Sequence, residues 1–259
     1  MAEDEATDDR GNDAERDVVT AAFDAATARF VALVRGLPAG TADRPVAGTA
    51  WTVGETAAHV CSLYRRTTGD ARRADDREHL VRLNDEAITE VGSDPAAIAD
   101  EVAALADVVG QFAPHVPADR TFPFHCGVPI TLTGGLAVVV GEVAVHGAEM
   151  AAAAGVPWEV APADLLLVWR HASPVLQGWL RPEAAGADEA WELRFPEAEE
   201  PIVVRLDRGR VTVAEPDGRP VDHRVDVPDT VAFTLGFPYG RRPVTDPAVA
   251  RLAACFHPT

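Results

Sequence analysis

Four side chains carry the clearest chemistry in this sequence. Glu142, His146 and Glu149 interrupt an otherwise apolar stretch, Thr133–Gly155, TGGLAVVVGEVAVHGAEMAAAAG. At spacings of four and three they fall on one face of a helix. The other residues are almost all Val, Ala, Leu, Met and Gly, the composition of a buried helix. A carboxylate and an imidazole are costly to bury unless they are paired or hold a cation. Glu and His one turn apart can reach the same ion, and neutral imidazole is the commonest metal-binding side chain. His59, in ETAAHVCSLY, is the fourth. A lone histidine on an apolar helix is most often a hydrogen-bonded core residue. This one gains weight because Glu142 and His146 need a ligand from a facing helix. Two histidines and a carboxylate leave open positions on zinc, iron or nickel for water and substrate. Glu149 is expected either to orient His146 from behind or to face water at the helix end.

Arg66, seven residues after His59, shares its helix face and is a candidate to bind a substrate carboxylate, against the plainer expectation of a surface arginine. Arg241 precedes Arg242 in a Gly- and Pro-flanked loop near the C-terminus and is a candidate to close over an anionic substrate. Cys61 is about 200° round the helix from His59 and is expected in the core. His125 and Cys126 either line a pocket or fill the loop that enters the apolar helix. Trp158, Trp169 and Trp179 read as packing residues at a junction between two parts of the chain.

These side chains need elements to position them. Helical periodicity runs from Asp17 to Leu37, from Trp51 to about Thr68, and from Pro95 to about Val116. Thr52 with Glu55 makes a capping box at the start of the second of these. Ser93 or Asp94 caps the third, with Pro95 in its first turn. The charged run 69–90 reads as a helix continuation or an exposed helix with a solvated face. Residues 117–132 form a loop with a short hairpin around FPFHCGVPITL. With Thr133–Gly155 this makes four main helices, the pattern of an up-down four-helix bundle, a fold that builds metal sites from facing helices. Beyond Gly155 the pattern changes. Ala163–Leu180 reads as a helix with a break at Pro174. WELRFP (191–196), IVVRLD (202–207), RVTVAE (210–215) and HRVDV read as strands of an antiparallel sheet, and Pro228–Phe237 and Asp246–Phe256 as helices. The expected architecture is two-domain α+β: an acidic disordered tail over 1–14, the bundle over 15–155 and a small α+β domain over 161–259.

A formal net charge of −18 in 259 residues argues against nucleic acid and anionic membranes as partners. All 23 Lys+Arg residues are Arg, which with the abundant Ala suggests a GC-rich source genome; the excess acid also suits a salt-adapted host. Three widely spaced cysteines make neither a disulfide framework nor a zinc ribbon. With no basic-flanked apolar segment at the N-terminus, the expected address is the cytoplasm.

WTVGETAAHV resembles the W-x-V-x-x-x-x-x-H segment of the mycothiol-dependent maleylpyruvate isomerase family, and GEVAVHGAEMA resembles its E-x-x-x-H-x-x-D/E signature. The resemblance implies a DinB-like metal-binding bundle over roughly 15–155, followed by a small sterol-carrier-like domain. It implies that His59, Glu142 and His146 ligate a divalent metal, with zinc the expected ion. Glu149 stands where that family often has Asp, and Val139, Val140 and Gly141 stand where it commonly has a basic residue. The implied cofactor is mycothiol, a low-molecular-weight thiol, acting on a small-molecule electrophile. Addition of the thiol to a cis-enedioate, rotation and elimination give cis–trans isomerisation; thiol transfer is the related activity. Two other functions remain open: a non-catalytic small-molecule or lipid-binding protein, and a DinB-like metal hydrolase. Monomer and dimer also remain open.

Overall fold

The computed structural model describes residues 2–117, 119–184, 186 and 188–257, without the side chains of residues 2–13. The first half is helical. Helix α1 spans Ala2–Arg35, α2 Val53–Thr68, α3 Arg77–Val91, α4 Pro95–Phe112 and α5 Leu132–Ala154. Helices α1, α5, α2 and α4 pack in a ring, each against the next, and α3 lies outside against α2. This is the expected four-helix bundle with the charged segment as an additional outer helix. Of the expected tail over 1–14, residues 2–14 form the leading turns of α1 as backbone, while Met1 and the side chains of 2–13 lie outside the described residues.

Local sequence explains the helix ends. The Thr52 hydroxyl accepts the Glu55 N–H at 3.3 Å, and the Glu55 carboxylate accepts the Thr52 N–H at 2.8 Å, so the capping box forms as expected. Asp94 caps α4 with Pro95 following, and α4 stops at Phe112, where a short 3₁₀ turn replaces the last expected helical turn. Thr131 caps α5 by accepting the Gly134 N–H at 3.1 Å. Gly155 ends α5 in the left-handed conformation (φ 73°), which glycine adopts without a Cβ clash. By length and composition α5 could cross a membrane, yet 67% of its most apolar window is buried within the protein, and it is the inner helix of the bundle. Phe23, Phe30, Tyr64, Ile98, Leu136 and Met150 are sealed in that core. Each contributes about 1.5–3 kcal/mol by leaving water.

The second half departs from the expected pattern in two places. The segment read as one helix over 163–180 is broken: α6 (Pro162–Leu167) runs into a π-helical turn, Val168–Ala172, then a 3₁₀ turn at Pro174 and a last helical turn, α7 (Leu176–Trp179). Proline lacks the N–H that an unbroken helix needs there. The sheet is mixed rather than purely antiparallel. Strands β3 (Glu189–Arg194), β4 (Ile202–Asp207), β5 (Arg210–Ala214) and β6 (His223–Asp226) lie in the order β5-β4-β3-β6, and β6 runs parallel to β3. The long connection over 215–222 carries the chain across the sheet, where a tight hairpin would have reversed it. Helices α8 (Thr230–Gly236) and α9 (Pro247–Ala254) complete this half. Ahead of α5 the expected hairpin forms from β1 (Thr121–Pro123) and β2 (Pro129–Thr131).

Trp191, Leu193, Val204, Leu206 and Leu252 centre a second core around the sheet. Val168 and Ala172 of the π-helical turn bury instead in the bundle core, and Arg29 of α1 pairs with Asp164 of α6. The turn and the ion pair tie the two halves together across the connection at 155–161.

Candidate metal centre

His59 sits in the second turn of α2, where the capping box fixes the entry of the helix. Glu142 and His146 lie one turn apart on α5, which packs against α2. The packing brings all three to one point. Glu142 Oε2 is 3.4 Å from His59 Nε2 and 3.2 Å from His146 Nε2. One donor atom from each residue lies within 4.8 Å of the others. Two donors held about 2.0–2.1 Å from a tetrahedral ion are themselves about 3.3–3.4 Å apart. The carboxylate–imidazole separations therefore match the edges of a tetrahedral site. The two imidazoles are 5% exposed and the Glu142 carboxylate 18%.

His146 is held from behind. Its Nδ1 lies 2.6 Å from Glu149 Oε2, and the other Glu149 oxygen accepts from Arg241 Nε at 2.5 Å. Of the two expectations for Glu149, orienting His146 is the one observed. A carboxylate on Nδ1–H fixes the tautomer that leaves Nε2 free as a ligand. His59 lacks such a partner, because its Nδ1 is buried with no hydrogen bond. Its orientation comes from packing: Trp51 lies over the ring, with centroids 4.8 Å apart. The residues thus fit a divalent ion in donor type and spacing, with a complete outer contact at His146 and a packed one at His59.

Electrostatics couple the same three groups, and His146 has a proton to give up before it can hold an ion. Burial works against a charge on Glu142, yet hydrogen bonds with His146 and His59 outweigh it and hold the carboxyl well below its usual range. Burial lowers the His59 imidazole, so it is neutral. Burial also pushes His146 down, but contacts with Glu142 and Glu149 outweigh it and raise the group to about 9. Burial raises Cys61 to about 12, which makes it an inert core thiol as expected.

The three residues open on a cavity of about 280 Å³ between the bundle and the second half. Its walls are largely aromatic and aliphatic, with Trp51, Phe124, Trp169 and Trp179 among them. Arg66 and Arg241 both reach it, the first from α2 and the second from the loop after α8. Arg66 is half-buried and not a surface arginine. Arg241 crosses from the second half to Glu149 of the bundle. Trp169 and Trp179 line the cavity beyond their packing role, whereas Trp158 packs its indole on Gly147 of α5.

Three features of the cavity were not settled by the sequence. One face of α3, with Arg77, Leu80 and Asn84, forms a wall, although its charged neighbours suggested a wholly solvated helix. His125 lines the cavity from the loop before β2. Tyr239 is the third. A Cβ at residue 141 would sit 2.3 Å from its hydroxyl, so Gly141 makes room for it beside Glu142. The glycine immediately before a buried glutamate was the available signal.

Residues 22–150, which include all three converging side chains, match the DinB superfamily. The bundle is a DinB-superfamily domain. No curated protein matches the chain. Among solved structures, it is similar to the mycothiol-dependent maleylpyruvate isomerase at 13% identity, covering 69% of this chain and 75% of that one with a TM-score of 0.44. It is similar to a histidine-to-alanine mutant of that enzyme at 14% identity, with the same coverage and a TM-score of 0.45. In this DinB domain the candidate ligands come from α2 and α5, and the second half supplies Arg241 behind them.

Proposed function

We propose that this chain is a metal-dependent enzyme of the thiol-using kind that its motifs resemble, acting on a small anionic electrophile. The observation that carries the reading is the convergence of His59, Glu142 and His146 in the wall of a cavity, with the Nε2 atoms of His59 and His146 3.4 and 3.2 Å from Glu142 Oε2. His59, Glu142 and His146 would hold a divalent ion, with zinc the expected one, and the chemistry it would supply is that of a Lewis acid that lowers the pKa of a thiol or water.

The chain's own residues do the rest. Burial works against a charge on Glu149, but His146 and then Arg241 hold it ionised, and Glu149 keeps a proton on His146 Nδ1 so that Nε2 is the atom turned toward Glu142 and His59. Trp51 covers the His59 edge and excludes water. The apolar walls strengthen every polar contact made inside. In this reading Arg66 binds a carboxylate and Arg241 holds the far end of the ligand, and what supports it is that both line the cavity. Mycothiol is the thiol the motif resemblance implies, and a cytoplasmic address is part of the proposal. For a cis-enedioate, the thiolate forms a C–S bond as the π pair of the double bond shifts onto the neighbouring carbonyl; the carbons rotate about the resulting single bond, and return of that pair re-forms the double bond as the C–S bond breaks and the thiolate leaves.

The chain purified without chelator is expected to hold about one divalent ion per molecule, lost in His146→Ala and Glu142→Ala. A wild type without metal overturns the reading. Turnover of an enedioate is expected only with thiol present; thiol-free turnover would instead identify a hydrolase.

A further inference from the structure

His125 is a polar group in this cavity that the proposed chemistry leaves unused. It lies in the turn between β1 and β2, and its side chain is buried. The turn is clamped to Ala74, in the connection between α2 and α3, by two hydrogen bonds. The Ala74 N–H donates to His125 Nδ1 at 2.9 Å, and the Cys126 N–H donates to the Ala74 carbonyl at 2.7 Å. Cys126 is held at φ 57°, a left-handed conformation that costs a non-glycine residue free energy. The clamp holds it there, and the result is an imidazole turned inward.

The first of those bonds fixes the tautomer. A backbone N–H can only donate, so Nδ1 accepts and the ring proton sits on Nε2. Nε2 has no hydrogen-bond partner among the described residues, and it is not among the sealed polar atoms. The ring lines two adjoining cavities, the one over the metal centre and a second of about 140 Å³ beneath the hairpin. Arg66 lines both as well. The Arg66 guanidinium donates to Asn84 Oδ1 at 2.9 Å, and among the described residues no carboxylate touches it. The nearby Asp70 is taken by Arg72 at 2.7 Å.

We propose that His125 Nε2–H and the Arg66 guanidinium form a carboxylate-binding subsite where the two cavities meet, with His125 as a neutral donor of fixed orientation. The proposal rests on the reading of the site as one for a small anionic electrophile. A neutral donor beside a cation suits a carboxylate, because two cations would repel when the site is empty. Burial, then the charges of Arg66, Arg73 and His79, pushes His125 down to about 3 against the pull of Asp70, so it stays neutral at any working pH.

The test is calorimetric titration of the full chain with maleate and with dimethyl maleate, in zinc-loaded and chelator-treated forms. Wild type is expected to bind maleate in both forms and the diester at least tenfold more weakly. Replacing His125 by Phe should weaken maleate binding about tenfold or more, the loss of a hydrogen bond to a charged group. His125→Gln, which keeps an N–H near the Nε2 position, should stay within about threefold of wild type. Arg66→Met should lose binding. Zinc content should be unchanged in both His125 variants. Because the chelated chain is measured separately, a failed metal assay sinks the metal reading without touching this one. Equal maleate affinity in wild type and His125→Phe, or equal affinity for maleate and its diester, overturns the subsite. Nitrogen-15 histidine spectra of wild type need no variant to fold: a neutral Nε2–H ring whose resonances move with maleate supports the proposal. A charged ring, the other tautomer, or no movement overturns it.

Discussion

Two histidine–glutamate–arginine chains among the described residues are alike in residue type and unlike in setting. On α5, His146 meets Glu149 at 2.6 Å, and Glu149 meets Arg241 at 2.5 Å. On the sheet, His223 meets Glu189 at 3.2 Å, and Glu189 pairs with Arg251. In the first chain the histidine is 5% and the arginine 27% exposed; in the second they are 28% and 61% exposed. The far nitrogen of His146 faces Glu142, with His59 beside it. The His223 ring instead lies flat on Trp191, with centroids 5.1 Å apart, and its other nitrogen has no hydrogen bond among the described residues. A histidine with a carboxylate behind it is therefore not a site by itself. Burial and further donors converging in front of it make the difference.

The sharpest way to break the comparison is to change the matching carboxylates. Zinc sites are worth about 10–16 kcal/mol over four ligands, or about 2.5–4 kcal/mol each. Glu142→Gln is expected to lower zinc affinity by several hundredfold in a competition assay with a fluorescent chelator. Glu189→Gln should leave zinc affinity unchanged. Equal losses in the two variants would mean that the metal is not at the bundle site.

A smaller effect belongs to the carboxylate behind the ligand. Glu149→Gln keeps the shape but loses the charge that fixes His146 and answers Arg241. Outer contacts of this kind are worth about 10–100-fold in metal affinity, and that range is expected in the same assay. A change below threefold would show that Glu149 serves the ion pair with Arg241 and not the metal.

Proton competition gives the next effect. Glu142 is held ionised and His59 neutral, so neither must lose a proton when an ion binds. His146, raised to about 9, must lose one. Zinc affinity should therefore rise about tenfold per pH unit across the neutral range and level off near pH 9, following the release of a single proton. Calorimetry in buffers of different ionisation enthalpy counts that proton directly. Two protons released, or none, would contradict this assignment of charge.

The difference between the two chains was only partly legible in the sequence. Glu142 and His146 stood out because charge on an apolar helix is costly, and the Thr52–Glu55 capping box placed His59 on a facing helix. The second chain was not visible, since Glu189, His223 and Arg251 are far apart in sequence: the parallel pairing of β6 with β3 brings His223 to Glu189, and Arg251 joins them from α9. Parallel pairing follows from a crossover, and a crossover has no local periodicity. His125 was singled out but not placed, because its role depends on a backbone N–H at Ala74 that no residue type reveals. The face of α3 was concealed by its own charges: Leu80 and Asn84 line the cavity while neighbouring acids face water.

The smallest expected effect is at Arg251. It is mostly exposed, and its pairing with Glu189 is screened by water. Holding a long side chain in one geometry costs rotamer entropy that offsets much of the attraction. Arg251→Ala should therefore leave the melting temperature within about 2 °C of wild type, in line with the small worth of exposed ion pairs. It should not alter zinc binding. Arg241→Ala removes a partner from a carboxylate that is only 11% exposed, and an under-paired buried charge is costly. It should lower the melting temperature measurably more than Arg251→Ala does. If the two arginine variants melt alike, burial is not what separates the two chains, and the distinction would rest on the converging donors alone.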